Sequence, residues 1–298
     1  MFDGILIIDK PEGITSHDVV AKCRRILKTK KIGHTGTLDP FATGVVVILV
    51  GKATRLAQFL DKDAKEYEAI VRLGFETDTG DRTGELRITN YELRDVSVEE
   101  FEAVLPEFRG EIMQTPPMFS AKKVDGKKLY ELARKGIEIE RKPVKLNIYS
   151  LELKEKFSIQ HSSFIIRVSC SAGTYIRVLA EDIGKKLNIG AHLAELRRTR
   201  AGKFTIEKAV TLEELEKLVA ENNLESYLIS MNEAISHLAE VKLSAAEIAK
   251  IKNGIKLEKD LADSKDGDFL RLTDGENLLA IGFYNSNEKN VRPKLVLV

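Results

Sequence analysis

Residues 33–44 read Gly-His-Thr-Gly-Thr-Leu-Asp-Pro-Phe-Ala-Thr-Gly, and residues 45–50 continue as Val-Val-Val-Ile-Leu-Val. Three glycines and a proline in the first twelve positions exclude a regular helix or strand there, because glycine supplies unusual backbone angles and proline fixes one. The unbroken apolar run that follows is typical of a strand buried on both faces. The stretch therefore predicts a shaped loop, carrying His34 and Asp39, that is held on a central strand, where catalytic side chains tend to lie.

Two simpler interpretations of this loop have to be weighed. An aspartate before a proline is a common turn residue, which hydrogen-bonds its own backbone. A phosphate-binding loop needs a glycine, four residues and then Gly-Lys-Ser/Thr. Here six apolar residues separate Gly44 from Gly51 and Lys52, and Ala53 follows the lysine. The phosphate-binding loop is excluded, whereas composition alone leaves the structural turn open.

Length and composition describe a globular chain of 298 residues, which suggests about two domains. No apolar run approaches the roughly 20 residues of a membrane span. The N-terminus lacks a basic region ahead of an apolar core, so we expect no signal peptide and a cytoplasmic location. Cys23 and Cys170 lie within apolar patterns and are expected in the core. The histidines and cysteines lack metal-ligand spacing, so no metal site is expected.

The charged residues are distributed unevenly although the net charge is only +1. Residues 1–60 hold 9 Lys/Arg against 5 Asp/Glu, and residues 121–150 hold 9 against 4. Residues 61–105 hold 6 against 13. Such segregation can give a neutral protein a basic face for phosphate binding, although a surface with mixed charges would give the same counts.

Hydrophobic periodicity predicts a mixture of strands and helices. Strands are predicted at 4–8, 45–50, 66–74, 144–154 and 162–171, and helices after Ser16, over 53–60, from Ser97 to about Phe108, after Thr174 and after Thr211. Ser16 and Thr174 are placed as N-caps, while Ser97, Thr211 and Ser244 open capping boxes. Residues 74–81 are predicted as a turn, because the spacing of a calcium loop is absent.

Arg177 falls in the first turn of the helix predicted after Thr174. A cation there opposes the helix dipole, so helix stability does not explain it. Arg177 is therefore a candidate functional residue.

The chain changes character near Ser230. A short helix from Ser244 to about Gly254 precedes three strand-like runs at 269–272, 278–284 and 291–298. Their small size and turn spacing predict a compact β-rich module. We accordingly divide the chain into residues 1–229 and residues 230–298.

Several strings resemble the TruB family of pseudouridine synthases. They are Gly-Thr-Leu-Asp-Pro at 36–40 with Ala-Thr-Gly at 42–44, Lys-Pro-x-Gly-x-Thr-Ser at 10–16, and Leu-Ala-Glu-Leu-Arg-Arg-Thr-Arg at 193–200. Residues from about 106 to 140 resemble the family-specific insertion, and residues 230–298 resemble a PUA domain, a small RNA-binding barrel. The resemblance implies the α+β pseudouridine synthase fold, a mixed and mainly antiparallel central sheet flanked by helices, with a β-barrel-like PUA domain.

Family members convert one uridine in the T-loop of tRNA to pseudouridine, and the resemblance implies roles for individual residues. Asp39 would be the catalytic nucleophile, Arg177 its partner, and Tyr67 the ring that stacks on the target uracil. The substrate contacts besides Tyr67 would be Lys10, His34, Tyr175 and Leu196. The RNA backbone contacts would be Lys122, Lys123, Arg197, Arg198 and Arg200.

Pseudouridine formation breaks the bond from ribose C1′ to uracil N1 and rejoins C1′ to C5. This is an isomerisation, so no cofactor is expected. A carboxylate could attack C1′, add to the uracil ring or take a proton from the sugar, and the sequence leaves all three open. Each needs an ionised Asp39, and a neighbouring arginine favours that form.

Three functions stay open at this point. The chain could be a stand-alone enzyme acting on tRNA uridine 55, a non-catalytic tRNA-binding or folding chaperone, or a guide-dependent enzyme acting on ribosomal RNA. The insertion favours the first. The expected partner is tRNA, gripped at its T-arm and contacted at its acceptor end by the PUA-like domain, and nothing in the sequence demands more than a monomer.

Overall fold

The computed structural model describes residues 2–87, 91, 94–124, 126–157 and 163–298. Its strands are β1 (Gly4–Lys10), β2 (Ile32–Thr35), β3 (Thr43–Val50), β4 (Lys65–Leu73), β5 (Glu76–Thr77), β6 (Leu86–Arg87), β7 (Gly110–Gln114), β8 (Lys123–Val124), β9 (Lys127–Lys128), β10 (Val144–Phe157), β11 (Ser163–Cys170), β12 (Ala191–Ala201), β13 (Phe204–Thr205), β14 (Ala239–Lys242), β15 (Leu257–Glu258), β16 (Phe269–Thr273), β17 (Leu278–Asn285) and β18 (Asn290–Val296).

The α-helices are α1 (Ser16–Ile26), α2 (Ala57–Leu60), α3 (Val98–Val104), α4 (Leu129–Ala133), α5 (Ile176–Lys186), α6 (Leu212–Ala220), α7 (Met231–Ala234) and α8 (Ala245–Lys252). Short 3-10 helices cover Gly51–Leu56, Leu105–Phe108, Ile206–Lys208 and Leu224–Tyr227. Among the described residues, no helix is long and apolar enough to cross a membrane.

A nine-stranded sheet forms the larger part of the fold, in the order β1-β3-β12-β4-β11-β10-β7 with β2 beside β3 and β13 beside β12. Its strand pairs are antiparallel except β3 and β12, which run parallel. Residues of α1, α3, α5 and α6 pack with the sheet in one apolar cluster. The predicted fold class, a mixed and mainly antiparallel sheet flanked by helices, is confirmed.

Strand β3 is the apolar run identified in the sequence, and it is buried almost throughout. Val46, Ile48 and Val50 belong to the helix-covered cluster. Val45 and Val47 face a second cluster, which includes Leu278, Ile281, Leu295 and Leu297 from the C-terminal part. The run is continuous because both faces of β3 are covered.

The C-terminal residues form a five-stranded sheet in the order β14-β16-β17-β18-β15. The three predicted strand runs correspond to β16, β17 and β18, and the small sheet fits a PUA-like domain. Strands β14 and β15 are additional, and β14 begins at Ala239. Ile229 still donates to Ile5 of β1 at 2.9 Å. The domain boundary at 229/230 stays a prediction.

Two predicted N-caps are wrong. Thr15, not Ser16, caps α1, because the Thr15 side chain accepts from the Asp18 amide and Asp18 accepts from the Thr15 amide. Ser16 is the first helical residue, and its Oγ is used elsewhere. Thr174 donates to the Ser171 carbonyl at 2.9 Å, and Tyr175 is the N-cap of α5. Both errors come from competing hydroxyls beside the true cap.

Candidate active site

The loop between β2 and β3 carries Asp39 and is anchored on both sides of that residue. Ser16 Oγ accepts a hydrogen bond from the Leu38 amide at 2.9 Å. The Pro40 carbonyl accepts from the Lys10 ammonium at 3.1 Å. It also accepts from the Gly13 amide at 2.9 Å. The β1–α1 segment therefore fixes the backbone around Asp39.

Gly44 ends this loop where β3 meets β12. Its φ is +98°, and a Cβ atom there would lie 2.2 Å from the Arg198 carbonyl oxygen. A larger residue would both strain the backbone and push the two strands apart. The glycine thus allows the loop to enter the sheet directly beside β12.

Arg177 lies beside Asp39, with its Nε atom 3.0 Å from Asp39 Oδ2. Its Nη1 atom is 3.6 Å from Asp81 Oδ2 and donates to the Thr79 carbonyl at 2.7 Å. Its Nη2 atom donates to the Phe119 carbonyl at 2.7 Å. The guanidinium is therefore held on three sides, and two carboxylates compensate for its unfavourable place in the first turn of α5.

The Asp39 carboxyl is only partly shielded by this arrangement, since its side chain is 35% exposed while that of Arg177 is 5% exposed. Burial raises the pKa of Asp39 above its ordinary value, and Asp81 adds to that rise. Arg177 and Lys10 lower the pKa, but they do not cancel the effect of burial. The Asp39 carboxyl group therefore lies between the Arg177 guanidinium and an open space.

That open space is a cavity of about 280 Å³. Besides Asp39 and Arg177 it is lined by Gly36, Thr37, Leu38, Asp61, Lys65, Tyr67, Ser120, Ala121, Ala172, Gly173, Thr174, Tyr175, Ile176, Leu196 and Arg198. Within the described ranges, no group of three or more His, Cys, Asp or Glu side chains could hold a metal ion. The cavity walls combine aromatic rings, small residues, cations and the carboxylates of Asp39 and Asp61.

Tyr67, Tyr175 and Leu196 all lie in the cavity wall, together with Asp39 and Arg177. Burial raises the pKa of Tyr67, so its phenol stays neutral near pH 7. Tyr175 is fixed through its backbone, because its amide donates to Gln114 Oε1 at 2.7 Å and its carbonyl accepts from Gln114 Nε2 at 3.0 Å. The structure therefore brings together five of the residues that the resemblance implied, from β4, α5, β12 and the β2–β3 loop.

Lys10 lies behind the loop that carries Asp39, and its predicted contact with the substrate stays a prediction. It is fully buried and is not among the residues that line the cavity. Its ammonium donates to the carbonyls of Pro11 at 2.8 Å, Ile14 at 2.7 Å and Pro40 at 3.1 Å. Burial lowers the pKa of Lys10 to about 8, against an opposing effect of Asp39. In the structure, Lys10 supports the loop that carries Asp39.

Replacing Lys10 by Met should lower the free energy of unfolding by about 1–3 kcal/mol at pH 7, because three buried carbonyls lose their donor. The pKa of Lys10 is lower in the folded protein than its ordinary 10.5. Between pH 8 and 10.5, Lys10 therefore binds more protons in the unfolded chain than in the folded one. The free energy of unfolding of the wild type rises with pH over this range because of Lys10. Denaturant unfolding at several pH values should show the deficit of Lys10→Met growing over that window. A constant deficit equal to that of the exposed-site control Lys52→Met would contradict this role.

His34 lies on β2 and is half-buried outside the set of cavity-lining residues. Its ring meets the His17 ring edge-on, with 5.5 Å between centroids. Both ring nitrogens are shielded from solvent and have no hydrogen-bond partner among the described residues. Burial lowers the pKa of His34, so the ring is neutral near pH 7. Its predicted contact with the substrate stays a prediction.

The five residues predicted to contact the RNA backbone occupy three kinds of place. Lys122 precedes β8 and Lys123 is its first residue, and both are exposed on the β8–β9 hairpin of the insertion. Arg197 pairs with Asp9 at 2.7 Å, and Arg200 lies 3.5 Å from Glu66. Arg198 is only 1% exposed and lies in the cavity wall. Sheet register on β12 thus pairs two of these arginines with acids and buries the third, and the predicted contacts with the RNA backbone stay predictions.

Sequence reasoning missed three groups that help to build the site. Lys65 lies two residues before Tyr67 on β4, and strand alternation alone could have placed both on one face. Asp81 accepts from the Thr83 amide at 2.9 Å while facing Arg177. Gln114 holds Tyr175 from the end of β7. The last two had no local signal, because their roles depend on the packing of distant segments.

Comparison with known proteins places the chain in a family. The sequence profile described as the TruB family pseudouridylate synthase N-terminal domain matches residues 24–176. The profile of the tRNA pseudouridylate synthase B C-terminal domain matches residues 177–236. The chain therefore belongs to the TruB family and is a pseudouridylate synthase, an isomerase.

Curated relatives and solved structures agree with this assignment. The tRNA pseudouridine synthase B of Geobacillus thermodenitrificans is 45% identical over 94% of each chain. That of Bacillus anthracis is 43% identical over 99% of this chain and 97% of its own. The fold matches a Cbf5-Nop10-Gar1 complex at 32% identity and a TM-score of 0.75, covering 99% of this chain and 85% of that one. It also matches an H/ACA RNP bound to a substrate RNA containing 2′-deoxyuridine, at 30% identity and a TM-score of 0.74, with the same coverage.

Proposed function

We propose that this chain isomerises one uridine of tRNA, the T-loop uridine at conventional position 55, to pseudouridine. One observation carries the proposal, namely an Asp39 carboxylate held by Arg177 at the wall of a cavity that Tyr67 and Tyr175 also line. The relatives named tRNA pseudouridine synthase B support tRNA as the substrate.

The target uridine has to leave its stack before Asp39 can reach it. Unpairing and unstacking a base costs a few kcal/mol, which stacking and hydrogen bonds in the receiving pocket offset. An aromatic ring contributes about 1–3 kcal/mol per stacked base. Tyr67 takes this role in the proposal, because its neutral, buried ring lies in the same cavity wall as Asp39.

The ionised Asp39 then acts on the nucleotide. The C1′–N1 bond breaks, C1′ forms a new bond to C5, and the proton on C5 is finally replaced by one on N1, so atoms and charge balance. Attack on C1′, addition to the ring and removal of a sugar proton all need the ionised carboxylate. Arg177 serves each of them, because it opposes the rise in the pKa of Asp39 that burial causes.

The insertion would grip the T-arm through its exposed cations. Lys122, Lys123, Lys127 and Lys135 are exposed, and none of them forms an ion pair with a described residue. Exposed cations on the β8–β9 hairpin and just after α4 suit contacts to phosphates. Contact of the PUA-like domain with the acceptor end, action as a monomer and a cytoplasmic location complete the proposal.

Replacing Lys122 and Lys123 together by Gln should weaken binding of a T-arm stem-loop and flatten its salt dependence. Each phosphate contact contributes about 0.7–0.9 to the slope of log K against log salt, so the slope should fall by about 1.5 in the double variant. Binding titrations between low and high salt measure it. The double variant Lys250→Gln/Lys252→Gln, on exposed positions of α8, should leave the slope unchanged on an RNA without an acceptor stem. Equal slopes in all three proteins would contradict a role for the insertion.

A bare T-arm hairpin separates the proposed function from its alternatives. The purified chain alone should form pseudouridine in the hairpin. Binding without product would favour the tRNA-folding chaperone, whereas product only after addition of guide RNA and partner proteins would favour the guide-dependent enzyme. Either outcome would overturn the proposed function.

A further inference from the structure

Two buried cations lie in the cavity wall, and the acids that act on Lys65 from nearby, Asp61 and Asp63, make no direct ion pair with it among the described residues. Lys65 is 5% exposed and Arg198 is 1% exposed. Among the described residues, neither forms an ion pair with a carboxylate. Buried charges are normally paired, because an uncompensated charge in a protein interior is costly. The missing partner is therefore to be sought in what enters the cavity.

In the described part of the chain, the close acceptors of both groups are carbonyl oxygens, and Arg198 also interacts with the Tyr67 side chain. Arg198 donates from Nε to Val45 at 2.7 Å and from Nη2 to Gly36 at 2.8 Å. The Lys65 ammonium donates to the Asp63 carbonyl at 2.7 Å and reaches the Asp61 carbonyl at 3.5 Å. An ammonium has three N–H donors, so Lys65 keeps capacity for another acceptor. These bonds aim the two cations without neutralising them.

Gly36 shows that the two cations meet at one place. A Cβ atom on this residue would lie 3.3 Å from Arg198 Nη1 and 3.5 Å from Lys65 Cε. Gly36, Lys65 and Arg198 also line the same cavity. The bare α-carbon of Gly36 thus leaves both cations approachable from the loop that carries Asp39.

The position of Lys65 and Arg198 relative to Tyr67 indicates which group of the RNA they could bind. Lys65 and Tyr67 are two residues apart on β4, and both are buried on the same face. Two strand residues span about 6.5–7 Å. A nucleotide whose base stacks on Tyr67 therefore brings an adjoining phosphate within reach of Lys65. In a uridine within RNA, the phosphodiesters are the only groups with a full negative charge.

We propose that Lys65 and Arg198 form an anion subsite that binds the phosphodiester on one side of the flipped uridine. This inference rests on the proposed function. In this proposal, the RNA contact predicted for Arg198 lies inside the cavity, and Lys65 is a second residue of the same contact. Burial lowers the pKa of Lys65 to about 8, aided by Arg198 and opposed by Asp63 and Asp61, so most of it is charged at neutral pH. A bound phosphate would supply the absent counter-ion.

The test combines a variant with neutralised RNA. T-arm stem-loops carry a methylphosphonate either 5′ or 3′ of the target uridine, and equilibrium dissociation constants are measured at pH 7 with wild type, Lys65→Met and Lys62→Met. Lys62 is an exposed lysine of the same segment and serves as the matched control. A charge-assisted hydrogen bond is worth about 10- to 100-fold in affinity. We expect Lys65→Met to lose that factor on native RNA and Lys62→Met to bind like wild type.

The methylphosphonate at one of the two positions should weaken wild type by a similar factor and weaken Lys65→Met distinctly less, because only the Arg198 contact is then left to lose. Such non-additivity is the sign of a direct contact. The proposal would be overturned if, at both phosphate positions, the affinity loss from the methylphosphonate and the loss from Lys65→Met simply multiplied. Normal binding by Lys65→Met with a slower single-turnover rate would also overturn it, and would assign the pair to the uracil oxygens instead.

If Lys65→Met fails to fold, measurements on wild type alone still test the subsite. If wild type binds both methylphosphonate RNAs as tightly as native RNA, the subsite is excluded. Dissociation constants need no turnover. Failure of the proposed function would appear separately, as wild type that makes no pseudouridine on native RNA.

Discussion

Replacing Asp39 by Asn is expected to abolish pseudouridine formation while RNA binding persists. The amide keeps the size of the side chain but cannot act as a nucleophile or base, and loss of such a group costs about 10⁴-fold or more in rate. Single-turnover conversion of a T-arm stem-loop, with binding measured in parallel, reports both quantities. All three possible first steps need the carboxylate, so the expectation does not depend on which occurs.

Asp61→Asn is the matched control for this experiment. Asp61 also lines the cavity, but it is exposed, and the ion pairs of Arg177 in the described structure are with Asp39 and Asp81. Its replacement should change the rate by no more than a few-fold. If Asp39→Asn retained most of its rate, the aspartate would be the structural turn residue that composition alone left open.

Replacing Arg177 by Met is expected to have the second largest effect. Asp39 and Asp81 would lose the cation that they share, and breaking a buried ion pair by removing one partner costs about 3–5 kcal/mol of stability. Catalysis should fall through the rate constant rather than through binding alone, because Arg177 favours the ionised form of Asp39. Single-turnover rates at saturating enzyme separate these two effects.

The pH dependence of the Arg177→Met variant gives an independent check. Burial already raises the pKa of Asp39, and Arg177 lowers it, so the variant should have a still higher pKa. The acid limb of its residual rate should therefore move to higher pH. A carboxyl whose folded-state pKa is raised stabilises the fold at low pH and loses that contribution as pH rises through the folded pKa. The stability deficit of the variant should accordingly be smallest in acid.

Arg82→Met serves as a control, since Arg82 is a partly exposed arginine paired with exposed acids. It should leave the acid limb in place and cost well under 1 kcal/mol, as surface ion pairs do. An Arg177→Met protein with an unshifted acid limb would show that another group controls the ionisation of Asp39.

Elements of the fold with strong local sequence patterns could be predicted from the sequence. The apolar run at 45–50 indicated β3 as a central strand, and helical spacing after residue 175 placed Arg177 in the first turn of α5. Strands β14 and β15 escaped because they span four and two residues, too few for a period to show. Thr15 and Ser16 are adjacent hydroxyl residues, and only the fold shows which one caps α1.

The candidate site was predictable where one residue type has a distinctive job, and less so where tertiary packing decides. Arg197, Arg198 and Arg200 share a basic string, yet register on β12 pairs two of them with acids and buries the third. Asp81 faces Arg177 only because the turn after β5 lies against α5. Such contacts join residues about 100 positions apart, and no local pattern encodes them.

The most direct test of the proposed function is to map pseudouridine in an intact tRNA transcript after treatment with the purified chain alone. We expect one pseudouridine per molecule, at position 55, and none when that uridine is replaced by cytidine. Pseudouridine at another position, or at several, would contradict the assigned substrate site. No pseudouridine without added guide RNA or partner protein would contradict the stand-alone enzyme.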